Sequence, residues 1–403
     1  MAVNLSAPKN PLPVPGVRLA AVSSGVNGER DDLALMVFDP SAVVAGVYTQ
    51  SAFAAPPVWV AKEREKTSRG WLVNSGNANA ATGEPGRKDA VALCQQTAAV
   101  LELEPNSLQP FSTGVIGERL PMDKLLAAIP KLATSLRPDN WLAFASAIMT
   151  TDTVAKAVSE QVTIDGEAIT VTGVAKGSGM IKPNMATMLA YIACDATVSE
   201  EVLHRSVVEI ANASFNRITV DGDTSTNDCF MLCASGASAL SPIISVEDPR
   251  LLCLEDTIAS VAKTLAQSIV RDGEGATKFV TVTVSGGASR TECLEVGYTV
   301  AESPLVKTAL FAGDANWGRF CMAIGRARIE GLDAAGVSLH LDKVEVAHRG
   351  IMSATYSEEA GAAVLAKEEF EVRIDLGRGA YTETIWTTDL SYEYVRINAD
   401  YRS

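Results

Sequence analysis

The chain contains, at residues 173–195, the stretch Gly173-Val-Ala-Lys-Gly-Ser-Gly-Met-Ile-Lys-Pro-Asn-Met-Ala-Thr-Met-Leu-Ala-Tyr-Ile-Ala-Cys-Asp195. Glycines, a proline, two lysines and a threonine are crowded into this short span. Gly177 and Gly179 allow backbone conformations that other residues resist, and Lys182-Pro183 blocks regular helix directly before Asn184-Met-Ala-Thr187. The stretch therefore predicts a constrained turn that delivers Thr187 to the start of an apolar strand.

The residue types in this turn allow three interpretations. A phosphate-binding loop needs the order Gly-x-x-x-x-Gly-Lys-Ser/Thr, which is absent here. A buried strand behind a Gly-rich turn would use Thr187 only as a β-branched residue with good strand propensity. An N-terminal nucleophile would need a cut before Thr187, because the weak hydroxyl then gains the new α-amine, with a pKa of roughly 8, as its base.

The composition is that of an ordinary globular protein. A length of 403 residues exceeds a typical single domain and predicts two lobes. The net charge of -14 would repel phosphate backbones, and the lysines and arginines are scattered along the chain. We therefore expect no nucleic-acid partner.

Cysteine usage and the N-terminal sequence predict a cytoplasmic protein. The seven cysteines form an odd, dispersed set without CxxC spacing, which indicates a reducing compartment. The first residues, Met1-Ala-Val-Asn-Leu-Ser-Ala-Pro-Lys9, lack the pattern of a signal peptide. The longest uncharged stretch, residues 40–61, is interrupted by Thr49-Gln50-Ser51 and Pro56-Pro57, so we expect no membrane span.

Strand-like and helix-like segments alternate along the chain and predict a mixed α/β (α+β) fold. Residues 161–172 alternate apolar and polar side chains around Asp165-Gly166, as a hairpin does. We expect helices at about 199–212, with Ser199 as N-cap, and at about 256–270. Residues 337–347 and 392–397 are typical of strands.

Two further patterns could be taken for metal sites. His204, His340 and His348 lack metal-ligand spacing, so we expect no metal. Asp221-Gly-Asp-Thr-Ser-Thr-Asn-Asp228 lacks the glycine and glutamate of a calcium loop. We interpret it as a turn whose hydroxyl groups could line a pocket.

The turn and six other stretches resemble the ornithine acetyltransferase family, also called the bifunctional glutamate N-acetyltransferases of arginine biosynthesis. The similarity covers nearly the whole chain, and its motifs occur in order. The matching stretches are Lys176-Gly-Ser-Gly-Met-Ile-Lys-Pro-Asn-Met-Ala-Thr-Met-Leu189, Asn74-Ser-Gly-Asn-Ala-Asn79, Ser112-Thr-Gly-Val-Ile-Gly117, Ile148-Met-Thr-Thr-Asp-Thr153, Asp272-Gly-Glu-Gly-Ala-Thr-Lys278, Phe311-Ala-Gly-Asp-Ala-Asn-Trp-Gly-Arg319 and Tyr394-Val-Arg-Ile-Asn-Ala-Asp-Tyr401.

The resemblance implies a precursor that cleaves itself between Ala186 and Thr187. It implies an α chain, residues 1–186, that holds the oxyanion hole and part of the substrate pocket, and a β chain, residues 187–403, that holds the nucleophile and the rest. The two chains are expected in an α2β2 heterotetramer with the two-lobed ornithine acetyltransferase fold, which is similar to that of the DmpA-like aminopeptidases.

The resemblance also implies a two-step exchange of an acetyl group. Thr187 takes acetyl from N2-acetyl-L-ornithine, and L-glutamate then attacks the acetyl-Thr187 ester in a cyclic route to arginine. Thr113 and Gly114 are expected to stabilise the oxyanion, since a hydroxyl and an amide exposed by glycine are both neutral donors.

Substrate binding is expected from residues in both prospective chains. The family positions fall on Thr150, with Thr151 not excluded, on Lys176 and Thr187, and on Glu274, whose carboxylate suits an ammonium or a proton transfer. At the C-terminus they fall on Asn398 and the last residue. The family usually ends in Thr where this chain has Ser403, which keeps the hydroxyl.

The resemblance leaves two questions of activity open. Some family members only recycle acetyl from acetyl-ornithine, whereas others also accept acetyl-CoA as donor, and no sequence feature separates them. No cofactor is expected beyond that second donor. The alternatives are a related N-terminal-nucleophile aminopeptidase or amidase, with water as acceptor, and an uncleaved binding protein. Lys176, Glu274 and Asn398 favour transfer, and the intact Ala186-Thr187 junction favours cleavage.

Overall fold

The computed structural model describes residues 2–182 and 188–400. The expectations for Ala186, Thr187 and Ser403 fall outside the described residues and stay predictions.

Strands and helices alternate in the described residues as the mixed α/β pattern predicts. The strands are β1 (Val17–Val22), β2 (Leu33–Phe38), β3 (Val43–Tyr48), β4 (Gly70–Asn77), β5 (Leu108–Val115), β6 (Lys156–Ile164), β7 (Glu167–Lys176), β8 (Leu189–Cys194), β9 (Ile218–Thr219), β10 (Cys229–Ala234), β11 (Phe279–Gly287), β12 (Ser338–Leu341), β13 (Val344–His348), β14 (Ile351–Met352), β15 (Glu369–Asp375) and β16 (Tyr381–Thr388). The helices are α1 (Pro56–Arg64), α2 (Gly83–Val100), α3 (Met122–Thr134), α4 (Trp141–Ala147), α5 (Glu200–Ala213), α6 (Pro249–Arg271), α7 (Arg290–Ala301), α8 (Pro304–Ala312), α9 (Trp317–Gly325), α10 (Glu358–Leu365) and α11 (Tyr392–Ala399).

The strands of the described residues form three sheets. The first has the order β1-β2-β4-β5, with only its last pair parallel. The second has the order β3-β10-β8-β7-β6, in which β8 and β10 run parallel and the other neighbours antiparallel. The third, β14-β13-β12-β15-β11-β16-β9, belongs mainly to the C-terminal part of the chain.

The first two sheets pack face to face between helices and form a four-layered sandwich. The side chains of strand β8 show this packing, because they point alternately into two different cores. Leu189 and Tyr191 point into the core between the sheets, whereas Ala190 and Ile192 point to the outer core under α5 and α6. A strand buried on both faces carries apolar residues at every position, which explains the continuous apolar run after Thr187.

The outer faces of the sandwich are covered by helices. Helices α2 and α3 cover the first sheet, with Leu93 and Ile129 packed on its apolar side chains. Helix α6 covers the second sheet, and Gly173 in β7 permits its close approach, because a Cβ there would lie 2.9 Å from Leu265 Cδ1. The third sheet packs separately against α7 to α10 and forms the second lobe.

Most of the predicted elements are confirmed. The hairpin consists of β6 and β7, and its turn residues Asp165 and Gly166 both have positive φ. Helix α5 follows Ser199 as predicted, although the Ser199 side chain makes no capping hydrogen bond. Helix α6 begins earlier than expected, because Asp248 accepts a hydrogen bond from the Arg250 amide and Pro249 occupies the first turn.

Two of the strand predictions are wrong. Residues 337–347 form two antiparallel strands, β12 and β13, because the chain turns at Asp342, which has φ of 48°. Residues 392–397 lie in helix α11, which begins where the Ser391 side chain accepts a hydrogen bond from the Tyr394 amide. None of the helices in the described part of the chain is long and apolar enough to span a bilayer.

The contact between α6 and β7 predicts the stability cost of a core truncation. Leu265→Ala removes a fully buried side chain from this interface and should lower the free energy of unfolding by about 2–5 kcal/mol. The neighbouring Thr264→Ala, on the exposed face of the same helix, should change it by less than about 0.5 kcal/mol. Urea unfolding followed by circular dichroism measures both, and equal losses would contradict the assigned packing.

Candidate functional site

A pocket of about 320 Å³ lies at one end of the sandwich. It is lined where β5 and β7 end and where β8 and β10 begin, by residues that include Thr113, Lys176, Leu189 and Asp228. Glu274, which follows α6, completes the lining together with residues of other elements. Both sides of the predicted cleavage site therefore contribute to one cavity, whose volume is at the lower end of the range for small-molecule sites.

The Lys176 ammonium is held between two hydroxyl groups in this pocket. Its Nζ lies 2.9 Å from Thr113 Oγ1 and 3.1 Å from Thr150 Oγ1 and donates to both. Within residues 2–182 and 188–400, one ammonium proton is thus left for a ligand, and the hydroxyl protons of both threonines are available for donation. Burial lowers the pKa of Lys176, against the opposing effect of Asp152 and Asp228. Thr151 lines the pocket as well.

The position of Gly114 admits no larger residue. Its φ is 133°, in a region that favours glycine, and a Cβ would lie 2.3 Å from the carbonyl carbon of Gly76 and 2.5 Å from the amide of Asn77. The pairing of β4 and β5 is irregular at this point. The chain therefore leaves the ladder here and turns Gly114 and Val115 into the pocket lining.

Glu274 and Asn398 meet on the opposite side of the pocket. Asn398 Nδ2 donates to Glu274 Oε2 at 2.7 Å, and Glu274 is 7% exposed. A Cβ on Gly179 would lie 2.4 Å from the Glu274 carboxylate, so a larger residue there would displace that carboxylate. Because residues 392–399 form a helix, Asn398 reaches Glu274 across 124 positions of sequence.

A buried ion-pair network lies behind the pocket. Lys156 Nζ donates to Asp152 Oδ1 and to Asp272 Oδ2, both at 2.7 Å, and none of the three side chains is more than 1% exposed. Asp152 also accepts hydrogen bonds from the amides of Gly177, at 2.7 Å, and Thr150, at 3.1 Å. The network therefore fixes the backbone directly after Lys176 and at Thr150.

The other arm of the network fixes the backbone beside Glu274. Asp272 accepts from the amide and hydroxyl of Thr153, and its own carbonyl accepts from Ser178 Oγ at 2.6 Å. The amide of Glu274 donates to the carbonyl of Ser178 at 2.9 Å. Lys156 therefore links both walls of the pocket through two carboxylates.

The charges in this network stabilise one another. Burial alone would raise the pKa of Asp152, but Lys156, Lys176 and the Gly177 amide outweigh it and hold that pKa below its usual range. Burial alone would lower the pKa of Lys156, and the two carboxylates outweigh it and raise the pKa. Asp152 and Lys156 are therefore both charged at neutral pH.

Asp228 differs from the carboxylates of the network. It lines the pocket, is 3% exposed, and its Oδ2 has no hydrogen-bond partner in the described part of the chain. Burial raises the pKa of Asp228 well above its usual value, although hydrogen bonds from Ser225 and the charge of Lys176 oppose the effect. The pocket thus contains a buried carboxyl group whose protonated form is favoured by its surroundings.

The structure brings together the described members of the predicted site. Thr113, Gly114, Thr150, Lys176, Glu274 and Asn398 all line the one pocket. The predicted nucleophile Thr187, the cleavage partner Ala186 and Ser403 lie outside the described residues, so their contribution stays a prediction. Met188 and Leu189, which follow Thr187, do line the cavity.

The sequence analysis missed several polar residues of the site. Asp228 and Asn227 belong to the turn whose hydroxyl groups we expected could line a pocket, and this expectation is confirmed for Ser225 and Thr226. The burial of Lys156 was not predicted, because a lysine at the start of a strand is usually exposed. Within residues 2–182 and 188–400, no group of His, Cys, Asp and Glu side chains has the arrangement of a metal site.

The pocket therefore presents an ammonium, two carboxyl groups, hydroxyl groups and two amide side chains to a small polar ligand. Groups of both signs in one small cavity suit a molecule that itself carries both charges. Comparison with known proteins identifies the family to which the chain belongs.

The ArgJ family model matches residues 18–403, and the chain belongs to the ArgJ family. The arginine biosynthesis bifunctional protein ArgJ of Pseudomonas syringae pv. tomato is 51% identical over 405 residues, which span all of both chains. The family resemblance inferred from the motifs is thus confirmed.

Two solved structures of similar proteins each match about half of the chain. The crystal structure of arginine biosynthesis bifunctional protein ArgJ from Bacillus halodurans is 36% identical and covers 51% of this chain and 95% of that chain, with a TM-score of 0.49. The structure of ornithine acetyltransferase complexed with ornithine from Mycobacterium tuberculosis is 35% identical and covers 45% of this chain and 98% of that chain, with a TM-score of 0.39.

The network predicts a large loss of stability when its cation is removed. Lys156→Met leaves two carboxylates buried without their cation and should lower the free energy of unfolding by about 3–5 kcal/mol at pH 7. Lys367→Met breaks the more exposed pair with Asp342, in which Lys367 is 54% exposed, and should cost at most about 1 kcal/mol.

Chemical denaturation at neutral pH compares the two variants. Because the pKa of Asp152 is lower in the folded protein than in the unfolded chain, its stabilising contribution is complete above about pH 4 and is lost as the pH falls further. The comparison at pH 7 therefore reports the full interaction. A Lys156→Met variant as stable as the Lys367→Met variant would contradict the network.

Proposed function

We propose that this chain transfers the acetyl group of N2-acetyl-L-ornithine to L-glutamate, in arginine biosynthesis, through an ester on Thr187. One observation carries the proposal. Residues predicted for this reaction from five separate stretches of sequence line a single pocket of about 320 Å³. Membership of the ArgJ family, whose relatives are named for arginine biosynthesis, supports the same reaction.

The proposed nucleophile is produced by the chain itself. The Thr187 hydroxyl attacks the carbonyl carbon of Ala186, the peptide bond breaks, and the resulting ester is hydrolysed by water. The products are residues 1–186, with a new carboxylate, and residues 187–403, with a free α-amine on Thr187. That amine can then take the hydroxyl proton in each later attack.

In the first half-reaction, Thr187 Oγ bonds to the acetyl carbon, and the bond from that carbon to N2 of ornithine breaks. The carbonyl oxygen becomes an oxyanion, for which the Thr113 hydroxyl and the Gly114 amide are the proposed donors. The hydroxyl proton of Thr187 passes through its α-amine to the leaving nitrogen, so ornithine departs as a neutral amine and is then protonated by solvent.

In the second half-reaction, the amino group of glutamate attacks the acetyl ester, and Thr187 Oγ leaves. The proton lost by the attacking nitrogen returns to Thr187, which restores the enzyme. Lys176 is the proposed partner of the α-carboxylate that both substrates carry, because its ammonium is held by only two hydroxyl groups. Glu274, supported by Asn398, is the proposed partner of the ornithine side-chain ammonium.

Three further properties belong to the proposal. The cleaved chains act together as an α2β2 heterotetramer, Ser403 supplies a hydroxyl to the substrate site, and the enzyme works in the cytoplasm without a cofactor. The family relationship supports these properties. Hydrolysis by a related aminopeptidase or amidase would need water in place of glutamate, and the charged groups of the pocket favour an amino-acid acceptor.

Cleavage and transfer are tested together by replacing the nucleophile. Purified wild-type protein should give two bands of 186 and 217 residues on a denaturing gel and form acetylglutamate from acetyl-ornithine and glutamate. Thr187→Ala should give one uncut, inactive chain, because no hydroxyl remains, whereas Thr187→Ser should still cleave in part. Full transfer by an uncut wild-type chain would refute the mechanism, and release of free acetate in place of acetylglutamate would favour the hydrolase.

We also propose that acetyl-CoA serves as a second acetyl donor, since the similar Pseudomonas protein is named bifunctional. Wild-type protein should form acetylglutamate from acetyl-CoA and glutamate without acetyl-ornithine, and the same Thr187→Ala variant should form none. Chromatographic detection of acetylglutamate measures both reactions. Product from acetyl-ornithine but not from acetyl-CoA would restrict the protein to acetyl recycling.

A further inference from the structure

The chain just before the predicted cleavage site is attached to a loop that follows it in sequence. Residues 180–182 are the last described ones before the site, and residues 220–224, which we call the latch, contact each of them. The latch belongs to the prospective β chain, whereas residues 180–182 belong to the prospective α chain. These contacts therefore join the two products of cleavage.

Asp221 is the centre of the latch. Its Oδ2 accepts a hydrogen bond from the amide of Met180 at 2.7 Å, and its Oδ1 accepts one from the amide of Ile181 at 2.9 Å. Met180 has φ of 55°, a left-handed backbone conformation that residues other than glycine rarely adopt without support. Hydrogen bonds from amides to a carboxylate are stronger than those between neutral groups, so Asp221 supplies that support.

Three other contacts hold the same segment. The amide of Val220 donates to the carbonyl of Ile181 at 2.8 Å, and Thr224 Oγ1 donates to the carbonyl of Lys182 at 3.0 Å. Lys182 Nζ forms an ion pair with Glu302 at 2.8 Å. Backbone and side-chain groups of residues 181 and 182 are thus bonded to residues downstream of the cleavage site.

We propose that Asp221 is a positioning residue for self-cleavage between Ala186 and Thr187. Attack within a chain depends on how closely the reacting groups are held, and a fixed point five residues before Thr187 limits the conformations open to the segment. The latch provides that point before the cut is made. This inference rests on the proposed function, because it concerns the reaction that produces the nucleophile.

The position of Asp221 separates this role from acetyl transfer. Asp221 is absent from the described lining of the pocket, although Met180 and Ile181 belong to it. Tyr394 donates its hydroxyl proton to Asp221 Oδ2 at 3.2 Å, so the latch also contacts helix α11. Loss of the Asp221 carboxylate should therefore slow cleavage more than it slows transfer by chains that have already been cleaved.

The test follows cleavage of freshly synthesised full-length precursor over time by intact mass. Asp221→Asn keeps one acceptor oxygen where the carboxylate accepts from the amides of Met180, Ile181 and Asp223. It should lengthen the cleavage half-time at least about tenfold, because bonds to a carboxylate are stronger than bonds to a neutral amide. Thr224→Val removes only the bond to Lys182 and should lengthen it about threefold. Asp223→Asn, at an exposed position two residues away, is the matched control and should cleave at the wild-type rate.

Two further measurements distinguish positioning from folding. In the uncut Thr187→Ala background, adding Asp221→Asn should change the melting temperature by only about 3 °C or less, a shift expected for a modest loss of stability. After Asp221→Asn precursor has matured, kcat for acetyl transfer per cleaved chain should remain within about twofold of wild type.

Asp221→Asn precursor that cleaves within about twofold of the wild-type rate would overturn the inference while the proposed function stands. So would Asp223→Asn slowed as much as Asp221→Asn, or a melting temperature lowered by more than about 10 °C in the uncut background, since folding would then explain the delay. Wild-type precursor that never cleaves would instead refute the proposed function and this inference with it.

Discussion

The pocket depends on the buried contact of Lys156 with Asp152 and Asp272. Two charged oxygens in the interior are unfavourable unless a cation and further donors satisfy them, and here the lysine and backbone amides do so. Asp152 accepts hydrogen bonds from the amides of Gly177 and Thr150, and Asp272, two residues before Glu274, accepts one from the amide of Thr153. One ammonium therefore orients both walls. The same network connects the end of β7 with the end of α6, in addition to the packing of the two elements.

The charged groups form two sets, a buried network behind the pocket and a second set that faces the cavity. The network groups are saturated by one another, so they are not free to bind a ligand, whereas Lys176, Asp228 and Glu274 face the cavity. Lys176 is bonded only to hydroxyl groups, and Asp228 keeps one oxygen without a partner among the described residues. Because these groups lack a full set of hydrogen-bond partners, a charged or polar molecule in the site can supply the missing ones.

Sequence patterns predicted the local structure where one physical effect dominates. The alternation in residues 161–172 and the Asp165-Gly166 turn gave the hairpin directly, and the apolar run after Thr187 gave β8. The strand prediction for residues 392–397 was wrong because the Ser391 side chain accepts a hydrogen bond from the Tyr394 amide and so begins a helix. That helix is what carries Asn398 to Glu274.

The pocket residues themselves could be predicted only through long motifs. Thr113, Lys176 and Glu274 each resemble ordinary turn or surface residues when taken alone, and the family pattern distinguished them. Neither local patterns nor the family motifs predicted the role of Lys156. Its burial depends on two carboxylates, one of them 116 positions away, and no local sequence pattern connects these carboxylates to the lysine. Long-range charge pairing of this kind is determined by the assembled fold.

The second sheet constrains how a cut at Ala186-Thr187 can occur. β7 lies before the junction and β8 after it, yet they pair in register from Val171 with Cys194 to Lys176 with Leu189. Their side chains share one core on each face of the sheet, so breaking a single peptide bond between them leaves the pairing and the buried surface intact. Cleavage can therefore create a chain end beside the pocket without cost to the packing, which is the condition for a chain to build its own catalytic terminus after folding.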